Sequence, residues 1–242
     1  MENTSKELLA CFLKTPRNSR ARENLLRHRL VYDLTLASCT VGRALDVFTG
    51  EVDDYGYDVG FSDGHRSTLV QLKGIGEDSK AAYWMIRPEL LLPDLSARQL
   101  NEYFHGDTAL RGLHGALVVQ QYSVIGSSRL FVRYRYGDID TLAASDSKAL
   151  KELEEAHKNK RSFRFRKGWL WPPMRPGLLL AFLGFAANGL IDDIENVYHW
   201  RDQVSGLQKP DRKTVPGTVS SLRSAIRNTY QDDRKKAVEQ AD

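Results

Sequence analysis

The spacing of apolar residues divides the first half of the chain into helices followed by strands. Apolar side chains recur at intervals of three and four residues over 5–14 and 20–38, which predicts two amphipathic helices. After Gly42 the pattern changes to short runs of strand length, at 44–48, 57–61, 68–73 and 81–86. Asp63 and Gly64 separate the second run from the third, so we expect an antiparallel hairpin there.

The second half of the chain continues with a helix, two strands and then a basic region that is mainly helical. The predicted helix covers 95–104, and the strands cover 115–122 and 129–136. Further helices are predicted at 147–160 and within 177–200. This order of helices and strands predicts an α/β sandwich.

The composition is ordinary for a globular protein, with 41% apolar and 27% charged residues. The net charge of +4 is too small to indicate a partner by itself. The two cysteines lie outside any CxxC pair, no histidines pair at ligand spacing, and no phosphate-binding P-loop occurs. The most apolar stretch, 178–187, is about half as long as a membrane helix, and no signal peptide is recognisable. We therefore expect a cytoplasmic protein without a zinc site, a disulfide framework or membrane contact.

The predicted hairpin gathers polar side chains suited to metal-assisted chemistry. Gln71 and Lys73 share one face of the third strand because side chains alternate, and the hairpin brings Asp58 beside them. A hard cation such as Mg²⁺ or Mn²⁺ prefers oxygen ligands, which are offered by Asp58, Gln71 and the backbone carbonyl of Leu72. Lys73 can hold an attacking water and help to deprotonate it. Glu23, near the start of the second helix, is the further carboxylate that we expect in the metal and catalytic site.

These residues resemble the motif of the PD-(D/E)XK nuclease superfamily. Tyr57-Asp58 stands where the superfamily has Pro-Asp, and Gln71-Leu72-Lys73 stands where it has an acid, any residue and Lys. Glu23 matches the glutamate of the preceding helix, and the resemblance covers about 20–136. It implies a restriction-endonuclease-like α/β fold, a mixed β-sheet flanked by helices. We divide the chain into this core at 1–140 and a basic, mainly helical region at 141–242, which is either separate or part of the same domain.

The resemblance implies a Mg²⁺-dependent or Mn²⁺-dependent endonuclease that hydrolyses DNA, in defence against foreign DNA or in repair; RNA is the less favoured substrate. One departure matters, because Gln71 replaces an acid and removes a negative charge from the metal site. The alternative is a catalytically weak or inactive nuclease-fold module that binds nucleic acid or a protein partner. Members of the superfamily act as dimers or within larger assemblies, so a homodimer or a protein partner is also compatible with the resemblance.

A basic segment between residues 158 and 175 contains no carboxylate and interleaves aromatic residues with cations. Aromatic rings stack on bases and cations contact phosphates, which predicts a nucleic-acid-binding surface. The residues assigned to it are Arg161, Arg164, Arg166, Lys167 and Trp169. The alternative interpretation is a strand whose aromatic side chains pack inward while its arginines face outward.

Simpler interpretations also exist for the proposed metal ligands. Asp58, Gln71 and Lys73 could be ordinary polar residues on the solvent face of a hairpin. Glu23 could be placed by the helix dipole alone, because acidic residues are favoured in a first turn. Asp53 and Asp54 are more often turn residues than ligands, and they are the substitutes if Glu23 does not reach the site.

Overall fold

Helices flank a mixed β-sheet in this protein, as the α/β prediction requires. The computed structural model describes residues 2–49, 56–92, 112–125, 129–146, 148–185, 236 and 238–239, with side chains from Leu8 onward. The helix predicted at 95–104, the candidate ligands Asp53 and Asp54, and the part of the predicted helical segment beyond residue 185 lie outside them.

The two N-terminal helices form as predicted. Helix α1 covers Glu2–Lys14 and helix α2 covers Ser19–Thr40, with a 3-10 turn at Pro16–Asn18 between them. Gly42 ends α2 in a left-handed conformation, with φ at 70°, which a residue without a side chain adopts at little cost. The N–H groups that follow the helix bond to the carbonyls of Ser38 and Cys39, which forms a Schellman cap.

The main sheet has five strands in the order β1-β2-β3-β5-β6. Strands β1 (Asp46–Phe48), β2 (Val59–Ser62) and β3 (Ser67–Gly76) are antiparallel to their neighbours along the chain. Strand β5 (Ala116–Ile125) pairs parallel with β3, and β6 (Arg129–Gly137) pairs antiparallel with β5. The predicted hairpin is confirmed by the pairing of β2 with β3.

Asp63 organises the turn of this hairpin. Its carboxylate accepts hydrogen bonds from the N–H groups of Arg66 at 2.8 Å and His65 at 3.0 Å, and Arg43 lies 3.3 Å away. The N–H of Arg66 does most to lower the pKa of Asp63 below its ordinary value, with partial desolvation opposing the shift. The turn therefore holds its shape best when Asp63 is ionised.

A second sheet of two strands lies apart from the first. Strand β4 (Tyr83–Ile86) pairs antiparallel with β7 (Phe163–Arg166), and a 3-10 turn follows at Lys167–Trp169. The basic segment is thus a strand and a turn in a region predicted to be mainly helical. The short helices are α3 (Pro88–Leu91), α4 (Ile139–Ser145), α5 (Ala149–Lys158) and α6 (Pro176–Phe182).

Two hydrophobic clusters cover the two faces of the main sheet. Val70 and Val118 belong to the first cluster, with α2 and α6, whereas Leu117 and Val119 belong to the second, with β4, β7 and α5. Neighbouring residues of β5 enter different clusters because side chains alternate across a strand. Both clusters combine residues from before and after position 140, so the described part of 141–185 packs into the same core as the rest.

Cys11 and Cys39 are both free and exposed. Among the helices that the structure describes, none has the length and apolar character needed to cross a bilayer.

Candidate functional site

A cavity of about 280 Å³ lies between the first turns of α2 and the edge of β3. Its lining includes three of the residues predicted for the catalytic site, Glu23, Asp58 and Lys73, together with Leu72. The structure therefore brings the helix glutamate, the hairpin aspartate and the strand lysine to one opening. Gln71 is not among the lining residues.

Asp58 lies where β2 separates from β3. Val59 is the first residue of β2 and pairs with Val70 of β3, and the N–H of Asp58, just before it, bonds to the carbonyl of Val70 at 2.9 Å. The Asp58 carboxylate then accepts the N–H of Leu72 at 2.5 Å. The carboxylate thus accepts a hydrogen bond that a neighbouring strand would otherwise accept from β3. This bond fixes the exposed Asp58 side chain at the sheet edge.

Gln71 has an unsatisfied acceptor. Its Oε1 atom is buried and receives no hydrogen bond from the described part of the chain. Such an atom normally has a donor, a water or an ion beside it, because a buried acceptor without a partner costs about 1–3 kcal/mol. By strand alternation Gln71 and Lys73 share the face of Leu69 and Ile75, which pack in the second cluster, whereas α2 covers the other face.

The sheet edge decides whether groups from both faces can meet. No described strand pairs with β3 beyond Val70 on the side of β2. An ion bound at this edge would have Asp58 beside it, because the Asp58 carboxylate bonds to the Leu72 N–H there. Asp58, Leu72 and Lys73 already share the cavity, and a common site would require the Gln71 oxygen to turn towards the edge.

Helix α2 is fixed against the sheet by buried polar contacts. Gln120 of β5 is 1% exposed, lines the cavity and donates from Nε2 to the carbonyl of Leu26 at 2.6 Å. Further along α2, the Tyr134 hydroxyl donates to Asp33 Oδ2 at 2.6 Å. Arg29 Nε contacts the same oxygen at 2.9 Å. These contacts set where Glu23 stands relative to β3.

The cavity also contains two arginines that the sequence analysis did not single out. Arg22 and Arg27 of α2 line it beside Glu23. The signal available in the sequence was the run of arginines at the start of α2, in which Arg22 has no acidic residue four positions away on either side, whereas Arg27 has Glu23 and Arg29 has Asp33.

The basic segment matches the alternative interpretation for its aromatic residues. Trp169 is 5% exposed and stacks on Phe163 at 5.8 Å between ring centroids, so its ring lies in the second cluster and offers no free face to a base. Arg164 and Arg166 point outward, Arg164 over the Tyr83 ring. The remaining side chains assigned here are Arg161, which is exposed, and Lys167, which is partly buried.

Arg166 is already engaged by a carboxylate. Its Nη2 atom lies 2.8 and 2.9 Å from the two carboxylate oxygens of Glu152. The guanidinium also covers the Trp169 ring at 4.8 Å from its centroid. Of the predicted cations in this segment, Arg161 and Arg164 are therefore better placed than Arg166 to contact an added phosphate.

The donor set fits a hard cation better than a soft one. The candidate ligands are two carboxylates, one amide oxygen and one backbone carbonyl, all oxygen atoms of the kind that Mg²⁺ and Mn²⁺ accept. Among the described residues, no group of three or more His, Cys, Asp or Glu side chains is arranged to hold a metal ion. The unsatisfied Gln71 oxygen is the observation that favours a fourth oxygen ligand.

Comparison of the chain with protein-family models, with curated proteins and with solved structures finds no match.

Proposed function

We propose that this protein is a metal-dependent endonuclease that hydrolyses phosphodiester bonds of DNA, built on a restriction-endonuclease-like form of the α/β fold. The observation that carries the proposal is the position of the Asp58 carboxylate. It caps the open edge of β3 at Leu72 and shares a cavity with Lys73 and Glu23. A cytoplasmic role in defence against foreign DNA or in repair fits this activity.

The proposed site divides the chemistry among its residues. Asp58, Gln71 Oε1, the Leu72 carbonyl and Glu23 would hold a Mg²⁺ or Mn²⁺ ion, which supplies the Lewis acidity that phosphodiester hydrolysis needs. The Leu72 N–H keeps the Asp58 carboxylate oriented towards the opening. The Lys73 ammonium group orients the water that attacks phosphorus and offsets the charge that develops as the bond to the leaving oxygen breaks.

Lys73 is available for this role. Within the described part of the chain no carboxylate lies within ion-pair distance of its ammonium group, although two carboxylates line the same cavity. A lysine held by a structural salt bridge would have to give up that partner before it could contact a phosphate. Its partial burial beside the open edge of β3 is suited to a group that contacts the substrate.

The test is a cleavage assay on supercoiled plasmid, single-stranded DNA and RNA with Mg²⁺, Mn²⁺ or EDTA. Asp58→Asn is the informative variant because its remaining side-chain oxygen can still accept the Leu72 N–H while the charge is lost. We expect Asp58→Asn and Lys73→Ala to lower metal-dependent cleavage by at least about 100-fold, the low end for a group acting on the reacting atoms. The matched control is Asp78→Ala, which removes an exposed acid just beyond the end of β3.

Metal-dependent cleavage that survives both Asp58→Asn and Lys73→Ala would reject this site. Cleavage of RNA alone would change the substrate class but leave the site in place. Whether the wild-type protein cleaves nucleic acid at all also distinguishes the endonuclease from the second candidate function, a module that binds without cutting.

A second candidate function is a nuclease-fold module that binds nucleic acid or a protein without cutting. The observation that favours it is Gln71, an amide where the superfamily motif has an acid, whose side chain does not line the cavity. Absence of cleavage by the wild-type protein, with a salt-dependent shift of labelled DNA, would select this function.

A further inference from the structure

The arginines of α2 differ in whether their charge is compensated. Arg29 contacts Asp33, and elsewhere Arg43 contacts Asp63 and Arg166 contacts Glu152. Arg22 and Arg27 line the cavity, and no carboxylate of the described residues lies within ion-pair distance of either. Two arginines without an ion pair among the described residues thus lie at the opening where a phosphate would enter, beside Glu23 and Asp58.

Both guanidinium groups are held by neutral partners. Arg22 Nη1 donates to the carbonyl of Leu13 at 2.7 Å, at the end of α1. Arg27 Nη2 donates to Asn24 Oδ1 at 3.2 Å. These bonds restrict the side chains without neutralising them, and each guanidinium has five donors in a planar fork that matches phosphate oxygens. A restrained, uncompensated arginine is preorganised for an anion.

The spacing of the two arginines favours a polymer. Five residues of α-helix advance about 7.5 Å along the axis. Successive phosphates of one strand advance about 3.4 Å each along a duplex, so side chains placed this far apart can contact different phosphates of one strand. A polynucleotide offers a row of anionic groups to two such positions, whereas inorganic phosphate offers one.

Together these observations assign a substrate contact to the start of α2. We infer that Arg22 and Arg27 form a phosphate-binding wall of the cavity, which grips the polynucleotide backbone beside the scissile bond. The inference rests on the proposed function for the position of the scissile bond. It makes α2, and not the β7 segment with Arg161 and Arg164, the main electrostatic contact with nucleic acid.

The experiment measures binding, so that it does not depend on activity. Fluorescence anisotropy follows a labelled single-stranded or duplex DNA oligonucleotide in EDTA and in Ca²⁺, over a series of salt concentrations. The variants are Arg22→Gln, Arg27→Gln and the double variant, with Arg20→Gln as the matched control, since Arg20 is an exposed arginine of the same helix that does not line the cavity. An Arg161→Gln/Arg164→Gln protein tests the β7 segment.

We expect the double variant to weaken binding at least ten-fold at moderate salt, and Arg20→Gln to change it less than three-fold. Each lost contact should also reduce the slope of log K against log salt by about 0.9 on duplex or about 0.7 on single-stranded DNA. Arg22→Gln could loosen the end of α1, so its melting temperature is measured as well. Arg27→Gln breaks only an exposed bond and keeps the test valid in a folded protein.

The inference is overturned if the double variant binds like Arg20→Gln, or if only the Arg161→Gln/Arg164→Gln protein loses affinity. It is also overturned if inorganic phosphate competes as well as the oligonucleotide at equal phosphate concentration. The two proposals fail separately. Arg-dependent binding without cleavage by the wild type ends the endonuclease proposal alone, whereas Asp58-dependent cleavage with unchanged binding by Arg22 and Arg27 variants ends the phosphate wall alone.

Discussion

The buried hydroxyl of Tyr134 connects β6 to α2 and can be removed with little change in shape. Tyr134 is fully buried and its hydroxyl donates to Asp33 Oδ2 at 2.6 Å. Tyr134→Phe deletes this bond and leaves Asp33 with Arg29 as its remaining charged partner. A hydrogen bond to a charged group contributes about 1.5–3 kcal/mol to stability. The free energy of unfolding of the variant should therefore be about 2 kcal/mol lower than that of the wild type near neutral pH.

The loss of folding stability caused by Tyr134→Phe should become smaller at alkaline pH. Burial of the phenol and, secondarily, the charge of Asp33 raise the pKa of Tyr134 well above its ordinary value of 10.0, while Arg29 opposes the shift. The native phenol thus keeps its proton above about pH 10, where the unfolded phenol loses it, so the Tyr134 contribution is complete below that pH and declines above it. Wild type should lose about 1.4 kcal/mol of its advantage over Phe per pH unit there.

Urea unfolding of both proteins at about pH 8 and about pH 11 measures this change, with ionisation of the other tyrosines cancelling in the difference. Tyr136→Phe is the matched comparison, because its hydroxyl donates at 2.7 Å to Asp138, only two residues further along the chain. A wild-type advantage that stays constant between the two pH values would show that Tyr134 ionises equally in both states. A difference below about 0.5 kcal/mol at pH 8 would mean that the bond contributes no more than an ordinary surface substitution.

Three further predictions concern single positions. Asp63→Asn should destabilise the protein at neutral pH but not well below about pH 4, because a lowered pKa contributes stability that is lost as the carboxylate protonates; urea midpoints at both pH values measure it. Gly115→Ala should lower the free energy of unfolding by about 1–3 kcal/mol, because a Cβ there would meet the Leu69 carbonyl oxygen at 2.6 Å. Gly76→Ala is the control, since a Cβ at that position has open space, and equal thermal midpoints of the two variants would contradict the prediction. Gln71→Glu should retain or raise cleavage, and it should increase the stabilisation of the protein by Mg²⁺ by about 1.4 kcal/mol for each ten-fold gain in metal affinity. Loss of both cleavage and Mg²⁺-dependent stabilisation would exclude position 71 from the metal site.

The sequence predicted elements whose pattern is local and strong. Helix α2 and the β2–β3 hairpin were predicted from apolar spacing and from the Asp63-Gly64 turn, and both formed with ends shifted by a few residues. Asp58, Gln71 and Lys73 were predicted to converge, with Glu23 as a further carboxylate; Asp58, Lys73 and Glu23 line one cavity, whereas Gln71 does not. The relative position of Asp58 and Lys73 was predictable because a hairpin and its alternation fix positions within a short stretch of chain.

The features that were missed depend on contacts between distant parts of the chain. Strand β7 pairs with β4, about eighty residues earlier, and this pairing buries Phe163 and Phe165 while it turns their neighbours outward. The same packing removed Trp169 from the predicted nucleic-acid surface. Arg22 was not predicted because its anchor, the Leu13 carbonyl, is available only once α1 and α2 are placed side by side.

Gln71 determines how the proposed site would have to work. The cavity is lined by two carboxylates, Glu23 and Asp58, and by the cations Arg22, Arg27 and Lys73, and the amide of Gln71 adds no third negative charge beside it. Such a site attracts a divalent ion weakly by itself, but Mg²⁺ in phosphoryl-transfer sites is commonly bound by one or two carboxylates together with the phosphates of the substrate. The phosphate backbone would then bring the missing negative charge, and nucleic acid and metal would each strengthen the binding of the other, since coupling between two ligands is reciprocal. An amide that looks like a defect in the motif is consistent with an active enzyme whose metal site is completed by its substrate.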